Sequence, residues 1–116
     1  MNLIAISINH RTAPVELREA VYLKEDEILP FINLAKENQL KEGLVLSTCN
    51  RTEIFCIPGK EDFTHDKIQA LLLQYKTAHN ISEENFQKYF SKDAVKHLFG
   101  VATGIDSLLI GDNQVF

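Results

Sequence analysis

Two short apolar runs constrain the fold more than any other feature: Leu44-Val45-Leu46-Ser47 and Thr52-Glu53-Ile54-Phe55-Cys56-Ile57. Both are rich in β-branched and large apolar residues, so both read as strands. The link between them, with Cys49-Asn50 at its middle, is too short for a helical crossover, and the pair is expected to form an antiparallel hairpin. Pro58-Gly59 closes the second strand.

The remaining segments fit around that hairpin. Residues 3–8 are β-branched and apolar and read as a buried strand. It runs into the polar loop Asn9-His10-Arg11-Thr12-Ala13-Pro14. Residues 15–23 read as a short helix with Val15, Leu17, Val21 and Tyr22 available for burial. A longer helix is expected over 25–39, where Ile28, Phe31, Ile32 and Ala35 share one face. Pro30 removes a backbone donor inside it, and Gly43 ends the region. A further amphipathic helix over 63–78 carries Ile68, Leu71, Leu72 and Tyr75, with His65 and His79 on its surface. Residues 86–90 suit a fourth strand. Ser91 resembles an N-cap for a helix over 92–103 that would bury Val95, Leu98, Phe99 and Ala102 and stop at Gly104. The order β-α-β-β-α-β plus a C-terminal helix is an α+β, ferredoxin-like split βαβ sandwich, with helices on one face of an antiparallel sheet.

The chain has 116 residues, suited to one domain, and no apolar run approaches the ~20 residues of a membrane span. With two cysteines and no secretory signal, the expected compartment is the cytoplasm. A net charge of -4 excludes a general nucleic-acid clamp, which draws on clustered Lys and Arg. The apolar stretch Gly104 to Gln114 at the chain end suggests a fragment of something longer. Cys49 and Cys56 sit on extended chain, too far apart for a disulfide, and their spacing with no nearby His completes no zinc set.

Cys49 lies where a strand breaks into Asn50-Arg51-Thr52, the setting of a reactive thiol rather than of a core cysteine, although a buried structural thiol is the commoner use. Arg51 would favour the thiolate or bind a substrate carboxylate. Arg51 and Glu53 are surface residues of the hairpin, or else Glu53 orients Arg51. Cys56 reads as core. His10, in a loop, and His97, on an apolar helix face, are more often packing residues than catalytic ones, yet both can approach Cys49 if the strands share a sheet. Gly100, Gly104 and Gly111 form no dinucleotide fingerprint, and no phosphate-cradling loop is present.

Three blocks resemble one family. Asn9-His10-Arg11-Thr12-Ala13-Pro14-Val15-Glu16-Leu17-Arg18-Glu19 is similar to the opening of glutamyl-tRNA reductases. Leu46 to Glu53 resembles their active-site segment. His97-Leu98-Phe99, Val101-Ala102, Gly104-Ile105-Asp106-Ser107, Gly111 and Gln114 resemble a third block. The resemblance implies reduction of glutamyl-tRNA to glutamate-1-semialdehyde, with NADPH as hydride donor, at the start of C5 tetrapyrrole synthesis. Cys49 would attack the ester and form a thioester. Arg51 would hold the α-carboxylate of the glutamyl group, and Thr48 and Ser107 would line its pocket. His97 would assist proton transfer or polarise the carbonyl, and Asn9 and His10 would stand at the rim. Residues 1–116 would be the N-terminal catalytic, glutamate-recognition domain, with the NADPH-binding and dimerisation domains absent. Glutamyl-tRNA is the partner it implies, with glutamate-1-semialdehyde aminomutase as a further one and a homodimer for the full-length protein.

Gly100 stands where the family commonly has a basic residue, and Asp112-Asn113 replaces a more usual Glu-Pro. The same residues also fit two other functions: a non-catalytic binding or regulatory paralogue, and a cysteine thiol hydrolase, which needs a close Cys-His pair.

Overall fold

A computed structural model describes residues 2–104. The strands are β1 (Ile4–Asn9), β2 (Leu40–Thr48), β3 (Arg51–Pro58) and β4 (Gln87–Phe90). The helices are α1 (Val15–Val21), α2 (Glu25–Glu37), α3 (His65–Tyr75) and α4 (Ser91–Gly104), with a single 3-10 turn at Glu83–Asn85 before β4. The sheet order is β2-β3-β1-β4, and every neighbouring pair is antiparallel. This is the split βαβ plan expected from the order of elements.

Helix α2 starts well and ends well despite its proline. Glu25, Asp26 and Glu27 fill the first turn, where negative charge favours the helix dipole, and the Lys24 backbone N–H donates to Glu27 Oε1 at 2.9 Å. Pro30 stands on the exposed side and the helix continues through it. The Asn38 amide donates to the Leu34 carbonyl at 2.9 Å and closes the last turn. Gln39 then takes a left-handed φ of 81° and turns the chain into β2. The Gly59 N–H donates to the Gln39 carbonyl at 2.7 Å. A Cβ at Gly59 would stand 2.7 Å from that same oxygen, so this close approach requires glycine.

Strand β2 begins at Leu40, earlier than the expected 44, and passes through Gly43 rather than stopping there. Lys41 and Glu42 hid it, because polar residues are ordinary on an edge strand. A bulge lies between Leu40 and Glu42.

The helices cover both faces of the sheet rather than one. Ile4, Ile6, Ile8, Val45, Ile54 and Cys56 pack against Val21, Ile28, Phe31, Ala35, Ile68 and Leu72 from α1, α2 and α3. Leu3, Ala5, Leu46 and Phe55 pack against Ala94 and Val101 of α4 on the other side. All six residues of β1 are buried, which demands cover on both faces. Three local expectations are corrected with it. Phe99 is 65% exposed, and Ala94 and Val101 point inward in its place. Val15 is likewise exposed. His65 is buried: its Nε2 bonds the Tyr89 carbonyl at 2.8 Å and its ring lies edge-on to Phe90. No described helix is long and apolar enough to cross a membrane.

Candidate active site

Antiparallel register sorts the strand residues into rows, because directly paired residues project to one face. On the α4 face, Leu44, Phe55, Ala5 and Tyr89 form an apolar row. The next row toward the hairpin tip is Leu46, Glu53, Ser7 and Gln87, and the last is Thr48, Arg51 and Asn9. Helix α4 covers the apolar row and Leu46, and Asn9, Arg51 and Gln87 of the next two rows line an open cleft of about 700 Å³. Asn9, Arg11, Arg51, Gln87, Lys88 and Tyr89 form its sheet side, and Asp93, Lys96, His97, Gly100 and Val101 its helix side.

Glu53 organises this cleft from below. Its side chain is fully buried. Oε2 accepts the Ser7 hydroxyl at 2.5 Å and His97 Nε2 at 2.7 Å, and lies 3.5 Å from Arg51 Nη1. Ser7 Oγ in turn accepts the Asn9 amide at 2.9 Å, and that amide also donates to Gln87 Oε1. Burial pushes the Glu53 carboxyl up. The hydrogen bonds from His97 and Ser7 and the charges of His97 and Arg51 outweigh burial and hold it below the usual carboxylate range. Against an ionised carboxylate Nε2 of His97 must be the donor, so Nδ1 is the nitrogen left to meet a bound molecule. The imidazole is stacked on Tyr89, with centroids 4.1 Å apart and planes 12° from parallel, and lies 6.1 Å from Phe55. Burial and the Glu53 charge push the Tyr89 phenol up, while Arg51 and Arg11 pull it back.

Most of the residues expected at a site come to this one end of the sheet. Cys49 and Asn50 are the two-residue tip that the Thr48–Arg51 pair closes. Cys49 is free and exposed, two residues from Arg51 of the cleft but not among its lining residues. Asn50 is tied to α1 by Arg18, 3.3 Å away. Thr48 is half-buried, and its Oγ1 accepts the Asn50 N–H. Arg51 and His97 line the cleft. Asn9 is buried with its amide engaged: besides the bonds above, its Oδ1 accepts the Arg11 N–H at 2.9 Å. His10 follows it, exposed and outside the lining. Among the described residues no hydrogen bond joins Cys49 to either histidine. Ser107 and the rest of the third block from residue 105 lie outside the described residues.

Ser7, Gln87 and Tyr89 were missed. Ser7 carried a signal: it is the one polar residue between Ile4 and Ile8 in an apolar strand, and a buried hydroxyl must find a partner. That the partner is Glu53 depends on strand register.

A family model described as "Glutamyl-tRNAGlu reductase, N-terminal domain" matches residues 6–116. Glutamyl-tRNA reductase from Chlorobaculum parvum is 38% identical over 99% of this chain and 28% of its own length. The protein of the same name from Chloroherpeton thalassium is 38% identical over 99% of this chain and 27% of its own. This chain thus spans about a quarter of the relatives' length. The solved structure of glutamyl-tRNA reductase from Methanopyrus kandleri superposes with a TM-score of 0.65 over 90% of this chain and 23% of that one, at 24% identity, and supports the fold. The chain belongs to the family of glutamyl-tRNA reductase N-terminal domains.

Proposed function

We propose that this chain is the catalytic, glutamate-recognising domain of a glutamyl-tRNA reductase, which makes glutamate-1-semialdehyde for C5 tetrapyrrole synthesis in the cytoplasm. One observation carries the reading. A free, exposed thiol stands at a hairpin tip, two residues from an arginine that opens into a polar cleft.

The chemistry these residues can perform is acyl transfer. The Cys49 thiolate attacks the α-ester carbonyl of glutamyl-tRNA, a C–S bond forms, and the bond to the ribose oxygen breaks. The proton lost by the thiol ends on the departing ribose hydroxyl through solvent at the exposed tip. A thioester remains, a better hydride acceptor than the oxygen ester. The α-carboxyl is consumed in that ester. The carboxylate left for Arg51 is therefore the γ-carboxylate of the side chain, not the α-carboxylate that the resemblance suggested. A planar guanidinium fork suits it. His97 would meet the glutamyl group through Nδ1.

NADPH supplies the hydride in the reaction the family name implies. The described residues do not fit a dinucleotide. The β1–α1 turn contains no glycine, and no two neighbouring strands are parallel, so the described residues lack the glycine-rich turn of a parallel βαβ unit that takes a pyrophosphate. No part of the reduction is assigned to them. A homodimer of the full-length protein, and hand-over of the aldehyde to an aminomutase, belong to the same proposal.

The test is incubation with glutamyl-tRNA radiolabelled in the glutamyl group. Label is expected on the protein, sensitive to hydroxylamine, and absent from Cys49→Ser. Label that persists in that variant excludes Cys49 as nucleophile. A thiol hydrolase is less well supported, since it needs a close Cys-His pair and no hydrogen bond joins Cys49 to His10 or His97 among the described residues.

A further inference from the structure

The geometry assigns Glu53 the part of a positioning residue that holds Arg51 and His97 in one arrangement for a carboxylate-bearing substrate. This rests on the acyl-transfer reading above for its substrate, but not for its geometry.

Three features separate Glu53 from a structural ion pair. First, its position is unfavourable for stability alone. A buried ion pair is often replaced by well-packed hydrocarbon at no loss of stability. Second, its hydrogen bonding is lopsided. Ser7, His97 and Arg51 all converge on Oε2, while Oε1 is buried without a hydrogen-bond partner among the described residues. A carboxylate built for satisfaction would use both oxygens. This one instead holds several groups at a single point. Third, what it holds faces the cleft. Arg51 and His97 line it directly, and Asn9 and Gln87 line it through Ser7.

The contacts are also graded. Ser7 and His97 are close at 2.5 and 2.7 Å, and Arg51 is loose at 3.5 Å. Ser7 and His97 are therefore locked. Arg51 is aimed but not consumed, and the rest of its donor fork remains for an incoming carboxylate. Tyr89 stacked on the imidazole fixes the plane of the ring, and Glu53 fixes its rotation within that plane and puts the proton on Nε2.

The experiment compares wild type, Glu53→Gln and Glu53→Asp in the labelling assay, using glutamyl-tRNA and glutaminyl-tRNA. Removing a charge-assisted hydrogen bond of this kind is expected to slow acylation by glutamyl-tRNA about tenfold to a hundredfold. The preference for glutamyl over glutaminyl should narrow in Glu53→Gln and partly return in Glu53→Asp. A folded Glu53→Gln with wild-type rate and preference overturns the assignment. Nitrogen-15 shifts of the His97 ring give a second readout that does not need the reaction. Nε2 should carry the proton in the wild type, and the glutamine variant should lose that bias. A wild-type ring protonated on Nδ1 alone overturns the assignment even if the variants do not fold. Failure of the wild type to become labelled sinks the acyl-transfer reading instead, and the ring shifts still decide the role of Glu53.

Discussion

On the face toward α2 and α3, β1 and β3 present Ile4, Ile6, Ile8, Ile54 and Cys56, all buried among aliphatic and aromatic side chains. On the face toward α4, the alternate residues of the same strands are Ala5, Ser7, Asn9, Glu53 and Phe55. One side is hydrocarbon along most of its length, with only the paired, buried hydroxyls of Ser47 and Thr52 at its hairpin end. The other changes along its length from apolar, under α4, to polar at the hairpin end. The difference teaches that one register setting serves both purposes. A slip of a single residue would exchange the faces, putting Glu53 into the hydrocarbon and Ile54 into the cleft. The packed face therefore holds the polar face in place, and substitutions on the two should separate stability from chemistry.

The largest effect is expected from the packed face. Phe31 is fully buried and meets Tyr75 at 5.4 Å between ring centroids. Phe31→Ala should lower stability by about 3–5 kcal/mol. At about 4 °C per kcal/mol for a domain of this size, thermal denaturation followed by circular dichroism should show the loss plainly. A melting temperature within a few degrees of wild type would mean that this face is not the core.

The two cysteines give a smaller and sharper contrast. Cys56 is fully buried on the packed face, and burial pushes its thiol up to about 12. Cys49 is exposed at the tip. Cys56→Ser places a hydroxyl in hydrocarbon and should cost about 1–3 kcal/mol, whereas Cys49→Ser should stay within about 0.5 kcal/mol of wild type and lose the labelling. Iodoacetamide should modify Cys49 in the native protein and reach Cys56 only after denaturation. Modification of Cys56 at a comparable native rate would contradict the burial of that face.

The same contrast explains what was legible in the sequence. The packed face was, because Ile28, Phe31 and Ala35 on α2 and the β-branched strands repeat with the periods of helix and strand. The hairpin tip was, because Cys49-Asn50-Arg51 interrupts an apolar run. The split βαβ plan followed from the order of elements. Four things were hidden, each for a physical reason. Lys41 and Glu42 concealed the first part of an edge strand that solvent can reach. Phe99 looks like core by residue type, yet Ala94, Leu98 and Val101 turn the apolar stripe of α4 away from it. His65 reads as polar, although its ring is buried against Phe90 with one nitrogen satisfied by a backbone carbonyl. Ser7 and Glu53 are 46 positions apart, and only the β1–β3 register brings them together.

The smallest effect is expected on the polar face, and pH is the way to see it. The folded Glu53 carboxyl sits below its ordinary value of 4.5, because hydrogen bonds from His97 and Ser7 and the nearby positive charges outweigh the burial that would raise it. The unfolded chain then takes up a proton before the folded one as pH falls. The stabilisation from Glu53 is fully present above about pH 5.5, begins to fade near 4.5, and is lost as pH drops through the lower folded value. Glu53→Gln removes that contribution at every pH. At neutral pH the variant should melt slightly below wild type, by an amount on the order of 1 kcal/mol. The gap between the two should close on acidification below about pH 4.5. Other carboxylates titrate in both proteins and cancel in the difference. A gap that stays constant from pH 7 to 3 would mean that Glu53 is not an ionised, hydrogen-bonded group in the folded chain, and a gap that widens on acidification would mean that burial dominates its environment.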